Sequence, residues 1–403
     1  MGATYIESGM ATSFSARSGA PPRRPSGGRG AGLTRLRRVA LVAALIVLAP
    51  AAVSYVSAMS GPSNAALGVR SVEWLRDHGA AGIVAQVEDW YYTLTAPSKG
   101  GAAAKVVPKV GLGGLSATVR RRLPVAQRPQ AVRSIIAPAL AGEGVWHSTR
   151  SGLGGAPPLL VTTLRDEPDY PRVFVGLAWI DTRRTQISLY AGISEPSVSL
   201  PSRPTEVPAS KRYRLLATFN SGFKLIDAGG SLGNGGFATG GHTYAPLRDG
   251  LATFVGYKNG TVNIVGWSHG ATAPADVSYA RQNLPLIVDH GRVNPAIGNA
   301  ALWGATIGNA ILVWRSGVGV DRHGNLIYAA GNDQTAASLA GALIRAGAVR
   351  AMELDINPYW VSFITYGAFG ALEPANLLPD MQRPAARYLT PDDRDFLAVY
   401  LRK

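Results

Sequence analysis

Residues 315–355 read RSGVGVDRHGNLIYAAGNDQTAASLAGALIRAGAVRAMELD. A β-rich run at 310–314 leads in, and DRHGN (321–325) signals a turn because Gly324 can take the positive φ that a tight reversal needs. A second strand is expected at 326–329. From Asp333 or Gln334 the period changes. Ala337, Leu339, Ala340, Leu343 and Ile344 give an apolar face at helical spacing and Gly347 a stop, which predicts a helix through Ala346. Residues 349–355 (VRAMELD) return to strand. The unit is strand-helix-strand, and parallel pairing of its strands would require a right-handed crossover.

Upstream, 159–164 (LLVTTL), 173–180 (VFVGLAWI) and 186–190 (QISLY) are β-rich runs separated by Pro, Asp and Arg turns, which predicts consecutive antiparallel pairing. Further strands are expected at 213–219, 252–257, 262–266 and 286–288, and YKNGTV, with Asn259 and Gly260 at its tip, reads as a hairpin. With 48 Gly and 27 Pro in 403 residues, strands and turns outweigh helices. The expected class is α+β: a mixed, largely antiparallel sheet core with flanking helices and one strand-helix-strand unit, forming one principal domain over 136–403.

The N-terminal part is organised differently. Residues 1–38 are rich in Gly, Ser, Pro and Arg and poor in large apolar side chains, which predicts a disordered basic leader. Residues 39–59 (VALVAALIVLAPAAVSYVSAM) carry no charge and follow Arg35, Arg37 and Arg38. Roughly 20 residues at a 1.5 Å rise cross a ~30 Å hydrocarbon layer, so a single transmembrane helix is expected. The positive-inside rule then places the leader in the cytoplasm and the remainder outside, a single-pass plasma-membrane topology. A signal cleaved near Ala58, after Val56 and Ser57, is the alternative and would release the domain. Residues 60–95 show helical apolar spacing broken near His78 and Gly79, hence two amphipathic helices, packed on the same chain or serving as a juxtamembrane stalk or a lid.

Residues 96–135 form a basic Gly/Ala/Pro linker. Most of the net charge of +15 sits in the leader and this linker. Membrane topology accounts for the first, and contact with an anionic envelope polymer, or simple solubility, for the second; export disfavours nucleic acid. The chain has no cysteine, so packing holds the domain together without disulfides or thiolate metal sites.

Three constellations could carry chemistry. If 351–355 is a strand, Glu353 and Asp355 share one face about 6.6 Å apart at the backbone, compatible with the carboxylate pairs that cleave glycosidic bonds. Asp355 also stands at the carboxyl end of a strand that follows a helix, where α/β clefts open. Both carboxylates could instead be paired structurally with Arg315 or Arg350. Next, NSGF (220–223) and the Gly-rich 229–241 could bring backbone amides to a phosphate or a sugar hydroxyl. Lys224 stands before these glycines and not after them, which argues against a nucleoside-triphosphate loop. Last, Arg315 beside Gly317 and Gly319 could clamp a phosphate bidentately. His242, His269, His290 and His323 lack metal-ligand spacing, no cofactor is evident, and a divalent cation stays open. There is no Gly-x-Ser-x-Gly elbow to support serine-hydrolase chemistry.

Taken in order, the NSGF element, PLIVDHG (285–291), RSGVGVDRHGNLIY, the helix and AMELD resemble the phosphodiester glycosidase family, which includes the enzyme that removes N-acetylglucosamine from phosphodiester-linked mannose. The resemblance spans residues 144–366. It implies that Asn220, Gly222 and Phe223 match the family's Asn-Gly-Gly-Phe-like turn, Arg315 and Gly319 its arginine-containing strand, and Asp355 the aspartate of its Asp-Gly-Gly-Gly-Ser loop. Here Asp355 is followed by Ile356, Asn357, Pro358, Tyr359 and Trp360. The change removes amides that could cradle phosphate and adds a stiff aromatic surface suited to stacking on a sugar ring.

The implied protein is a membrane-anchored, extracytoplasmic hydrolase of an envelope sugar phosphodiester. Asp355 would be acid/base or nucleophile, Glu353 its partner carboxylate and Arg315 the phosphate clamp. Asn220 and Gly222 would orient the substrate, with Phe223, Gly319, Asn357, Tyr359 and Trp360 completing the site. Asn220, Arg315 and Asp355 should then converge in one pocket. The alternative on the same fold is a non-catalytic module that holds an envelope glycopolymer through the basic linker and the Tyr359-Trp360 patch.

Overall fold

The computed structural model describes residues 29–111, 129–150, 156–304, 312–367 and 372–402, so most of the expected leader and the middle of the linker lie outside the described residues. The chain divides into two units, Met1–Ala58 and Met59–Lys403. The first unit holds most of α1 (Arg29–Ser60), whose portion Thr34–Ser60 is exposed, apolar and long enough to cross a membrane; a signal sequence near the N-terminus has the same character. The helix begins before Val39, inside the stretch expected to be disordered. Arg35, Leu36, Arg37 and Arg38 are all good helix formers, so nothing local stops it there.

The second unit opens with α2 (Leu67–Leu75) and α3 (Ala81–Thr95), the two expected amphipathic helices. Between them His78 (φ −112°) and Gly79 (φ 89°) leave helical geometry, and glycine is the residue that reaches a positive φ without strain.

Eighteen strands, numbered in chain order, are present among the described residues. An eight-stranded sheet has the order β1 (His147–Ser148), β2 (Leu159–Arg165), β3 (Phe174–Ile180), β14 (Leu326–Gln334), β13 (Val313–Asp321), β15 (Ala348–Glu353), β11 (Leu286–Asp289), β12 (Arg292–Val293). A five-stranded sheet follows β7 (His242–Ala245), β6 (Phe237–Thr239), β10 (Val277–Gln282), β8 (Ala252–Tyr257), β9 (Val262–Gly266). The other five-stranded sheet follows β17 (Pro374–Asn376), β16 (Phe363–Tyr366), β5 (Leu215–Asn220), β18 (Phe396–Leu401), β4 (Thr185–Tyr190). Every pairing is antiparallel. Together with the few helices this is the α+β architecture expected from the sequence.

The strand-helix-strand unit takes a particular form. α4 (Ala336–Arg345) joins β14 to β15, but β13 pairs antiparallel with both, so β14 and β15 run parallel with β13 between them. The helix starts where it does because Thr335 caps it. The Thr335 side chain accepts from the Ser338 amide, and the Ser338 hydroxyl accepts from the Thr335 amide, both at 2.9 Å. Its buried face, Leu339, Ala340 and Leu343, lies over β13, where a Cβ at Gly317 would stand 3.2 Å from Leu343 and 3.3 Å from Leu339.

Two strand boundaries differ from expectation in ways that shape the site. β13 extends through RSGVGVD to Asp321, so Arg315 is its third residue and the strand continues past it instead of ending before it. β15 stops at Glu353, two residues short of Asp355. The sheets close over an aromatic centre in which the ring centroid of Phe219 lies 5.4 Å from Tyr328 and 5.9 Å from Phe363.

Candidate functional site

Where β15 ends, the chain changes partners. The Leu354 amide still donates to Ser316 O in β13 (2.8 Å), but the Asp355 amide donates to Ser221 O (3.1 Å), which hands the backbone to the NSGF turn after β5. Beneath that junction lies a satisfied polar network. Asn220 Nδ2 donates to Ser316 Oγ (3.0 Å), Ser316 Oγ donates to Asp355 O (2.7 Å), and Asn220 Oδ1 accepts from the Tyr328 hydroxyl (2.9 Å) and the Ser362 amide (3.1 Å). Buried polar groups need such partners, and these fix the relative positions of four chain segments: the Asn220 turn, β13, β14 and residues 355–362.

The Asp355 carboxylate is held from both sides. Oδ1 accepts from the Asn357 amide (2.9 Å), an Asx-type turn at the start of the Ile-Asn-Pro loop, and Oδ2 accepts from Arg394 Nη2 (2.7 Å). Both residues are buried, at 5% and 7% exposure. Burial pushes the Asp355 carboxyl above the ordinary carboxylate range, against the pull of Arg394 and the Asn357 amide. Arg394 also donates to Gly222 O (3.3 Å), so the conformation of the NSGF turn and the placement of the arginine depend on each other.

A cavity of about 800 Å³ opens at this point. Asp355, Asn357, Trp360 and Arg394 form one part of its wall, Phe223, Lys224 and Asp227 another, and Glu73, Arg76 and Asp77 a third. Lys224 Nζ lies 2.7 Å from Glu73 and 3.0 Å from Asp77. Lost hydration works against the lysine's charge, yet the two carboxylates hold its pKa above the usual value. Partial burial likewise keeps Asp227 above the usual carboxylate range. The cavity therefore combines three cations, Arg76, Lys224 and Arg394, with carboxylates that already occupy them.

The arginine behind this arrangement comes from the run Asp392-Asp393-Arg394-Asp395, directly before β18. Asp392 binds Arg387 (2.7 Å) and Arg383 (3.3 Å), and Asp395 binds Arg281 (2.8 Å). The guanidinium groups of Arg383, Arg387 and Arg394 stand 5.4, 5.1 and 5.3 Å from the Trp360 ring.

The residues singled out in the sequence are thus distributed unevenly. Asp355, Phe223, Asn357 and Trp360 line the cavity. Asn220 and Gly222 lie beneath it, positioning Asp355 and Arg394. Arg315 and Glu353 are not among its lining residues: Arg315 Nη1 binds Glu353 Oε1 at 2.5 Å and Trp303 O at 2.8 Å inside the protein. Burial pushes the Glu353 carboxyl up to about 7, against the pull of Arg315. Gly319 is a sheet position, where a Cβ would come within 2.7 Å of Arg350 O. The Tyr359 hydroxyl accepts from the Ala66 amide (2.9 Å) and its ring lies 4.5 Å from the Arg383 guanidinium, while Trp360 is only 4% exposed. Trp360 therefore packs on arginines with little of its ring exposed, while the half-buried Tyr359 contacts Arg383 and the segment before α2.

Arg394, Lys224, Asp227, Glu73 and Asp77 are not singled out as site residues by the sequence. The available signal was DDRD abutting the apolar run FLAVYL: alternating charges next to a core strand must be buried in pairs. Among the described residues, no group of three or more His, Asp or Glu is arranged to hold a metal ion.

No family model matches the chain, and no curated protein matches it. Among solved structures it is similar to the catalytic domain of zebrafish N-acetylglucosamine-1-phosphodiester alpha-N-acetylglucosaminidase auto-inhibited by its pro-peptide, at 16% identity and a TM-score of 0.40, covering 74% of this chain and 97% of that one. It is also similar to a hypothetical protein from Synechocystis (15% identity, TM-score 0.33, 61% and 64% covered) and to an exported protein from Burkholderia pseudomallei (13%, 0.31, 58% and 75%).

Proposed function

We propose that the chain hydrolyses a sugar phosphodiester of the cell envelope at the Asp355 cavity, outside the membrane entered by α1. The observation that carries this reading is the Asp355–Arg394 pair in the wall of a cavity that also holds Lys224 and Arg76. A phosphodiester brings one negative charge to a site, and its cleavage at the sugar carbon develops more charge on the leaving phosphate. Lys224 and Arg394 stand where they would neutralise it. Asp355, with its proton affinity raised, supplies the acid/base or nucleophilic carboxyl, and Asp227 takes the partner role for which Glu353 is too deeply enclosed. The resemblance in the order of the sequence motifs points to the same reaction class.

The test is release of sugar from a panel of synthetic sugar-1-phosphodiesters by the full chain in detergent. Asp355→Asn should lower turnover by roughly 10²–10⁴-fold. A folded wild type, confirmed by circular dichroism, that cleaves no member of the panel would sink the proposal.

A second reading, a non-catalytic module that binds an anionic envelope glycopolymer, is favoured by one observation: the expected partner carboxylate Glu353 is locked on Arg315 away from the cavity. It predicts polymer binding that weakens with salt and survives Asp355→Asn.

A further inference from the structure

Five large apolar side chains of α3 point away from the protein body. Ile83, Val87, Trp90, Tyr91 and Leu94 are 69, 60, 68, 56 and 64% exposed, while Val84 between them is buried at 8%. Their positions i, i+4, i+7, i+8 and i+11 place them on one face of a helix. Scattered apolar residues on a surface are ordinary, but a contiguous stripe that includes a tryptophan and a tyrosine marks a contact.

The neighbouring chain indicates which contact. α1, the helix long and apolar enough to cross a membrane, ends at Ser60, and α3 begins at Ala81 with only α2 and a turn between them, so the stripe lies within the stretch of chain next to a candidate anchor. Past α3 the chain presents Val106, 77% exposed, between Lys105 and Lys109, both also exposed, and residues 96–135 contain no acidic residue. Trp and Tyr favour the headgroup level of a bilayer, aliphatic side chains the acyl boundary beneath it, and lysines anionic headgroups.

We infer that α3 is an interfacial helix that lies on an anionic lipid surface. Ile83, Val87 and Leu94 enter the acyl boundary, Trp90 and Tyr91 sit among the headgroups, and Lys105 and Lys109 contact anionic lipid. This second membrane contact is independent of the chemistry assigned to the Asp355 cavity.

The absence of cysteine makes the test direct, because one introduced thiol gives one label. The full chain carrying Val87→Cys, labelled with an environment-sensitive fluorophore, is reconstituted into vesicles of phosphatidylcholine and phosphatidylglycerol. Asn259→Cys, in the β8–β9 turn, is the reference. The Val87 label should be quenched by lipid-borne nitroxide at least about twofold more than the Asn259 label, be shielded from aqueous iodide, and lose both properties in Ile83→Ser/Leu94→Ser. Equal iodide access at both positions would overturn the inference. So would a shielded Val87 label without lipid quenching, with thiols at position 87 crosslinking between copies on oxidation, since a second copy of the chain would then be covering the stripe.

Discussion

Arg315 and Glu353 meet at 2.5 Å with 5% and 0% of their side chains exposed, and Glu353 Oε2 has no partner. Removing one member of such a pair leaves a charge in the interior. Arg315→Met should cost about 3–5 kcal/mol in urea unfolding at pH 8, and much less in Arg315→Met/Glu353→Leu, where no charge is stranded. Asp166 has a related problem: it is buried, Gln334 Nε2 reaches its Oδ1 only at 3.3 Å, and burial pushes its carboxyl up to about 7. A carboxyl whose folded pKa lies above its unfolded value of about 3.9 favours folding at low pH and loses that contribution as pH rises through the folded value. Asp166→Asn should therefore flatten the fall in stability between roughly pH 4 and 7 and be the more stable protein above that window, by about 1–4 kcal/mol in denaturant titrations at each pH. An unchanged pH profile would show that Asp166 is ionised when folded. At this scale the sequence exposed Asp355, because a carboxylate closing a strand after a helix stands where clefts form. It concealed Arg394, because which arginine meets which carboxylate is settled by chain segments far apart in sequence: Arg394 and Asp355 are 39 positions apart.

Among the elements, α4 was legible because apolar spacing and the Gly347 stop agree, but its start was not: β14 runs on to Gln334 and the helix begins at Ala336, behind the Thr335 cap. Its cap makes a direct test: Thr335→Ala should lower stability by about 1 kcal/mol, read as a shift of the denaturation midpoint without a change of slope. β15 was legible in position but not in extent. The strand pairing holds through Glu353, then the Asp355 amide turns to the NSGF segment, so the two carboxylates that share a face by counting take different partners: Glu353 binds Arg315 and Asp355 binds Arg394. α2 was legible as an amphipathic helix, while the contact of Glu73 and of Asp77 just beyond it with Lys224 was not, since it joins residues about 150 positions apart. These acids occupy a lysine that an anionic ligand would use. Glu73→Gln/Asp77→Asn should tighten binding of inorganic phosphate by up to about fivefold in titration calorimetry. No change would place the anion's contact elsewhere in the cavity.

For the whole molecule, the antiparallel character and the turn-rich composition were readable, whereas the order of strands within sheets was not. Neighbours such as β3 and β14, or β4 and β18, are brought together by contacts the local pattern does not encode. Membrane attachment is a property at this scale. If α1 stays on the chain, full-length protein should resist extraction from membranes by alkaline carbonate, whereas a shortened form in the soluble fraction, beginning near Met59, would establish processing of the leader. The position of β18 has a further consequence. Residues Phe396–Leu401 lie between β4 and β5, so their sheet stays split in two until that stretch has left the ribosome. Stop codons placed just before Phe396 would therefore yield protein whose sheet never closes.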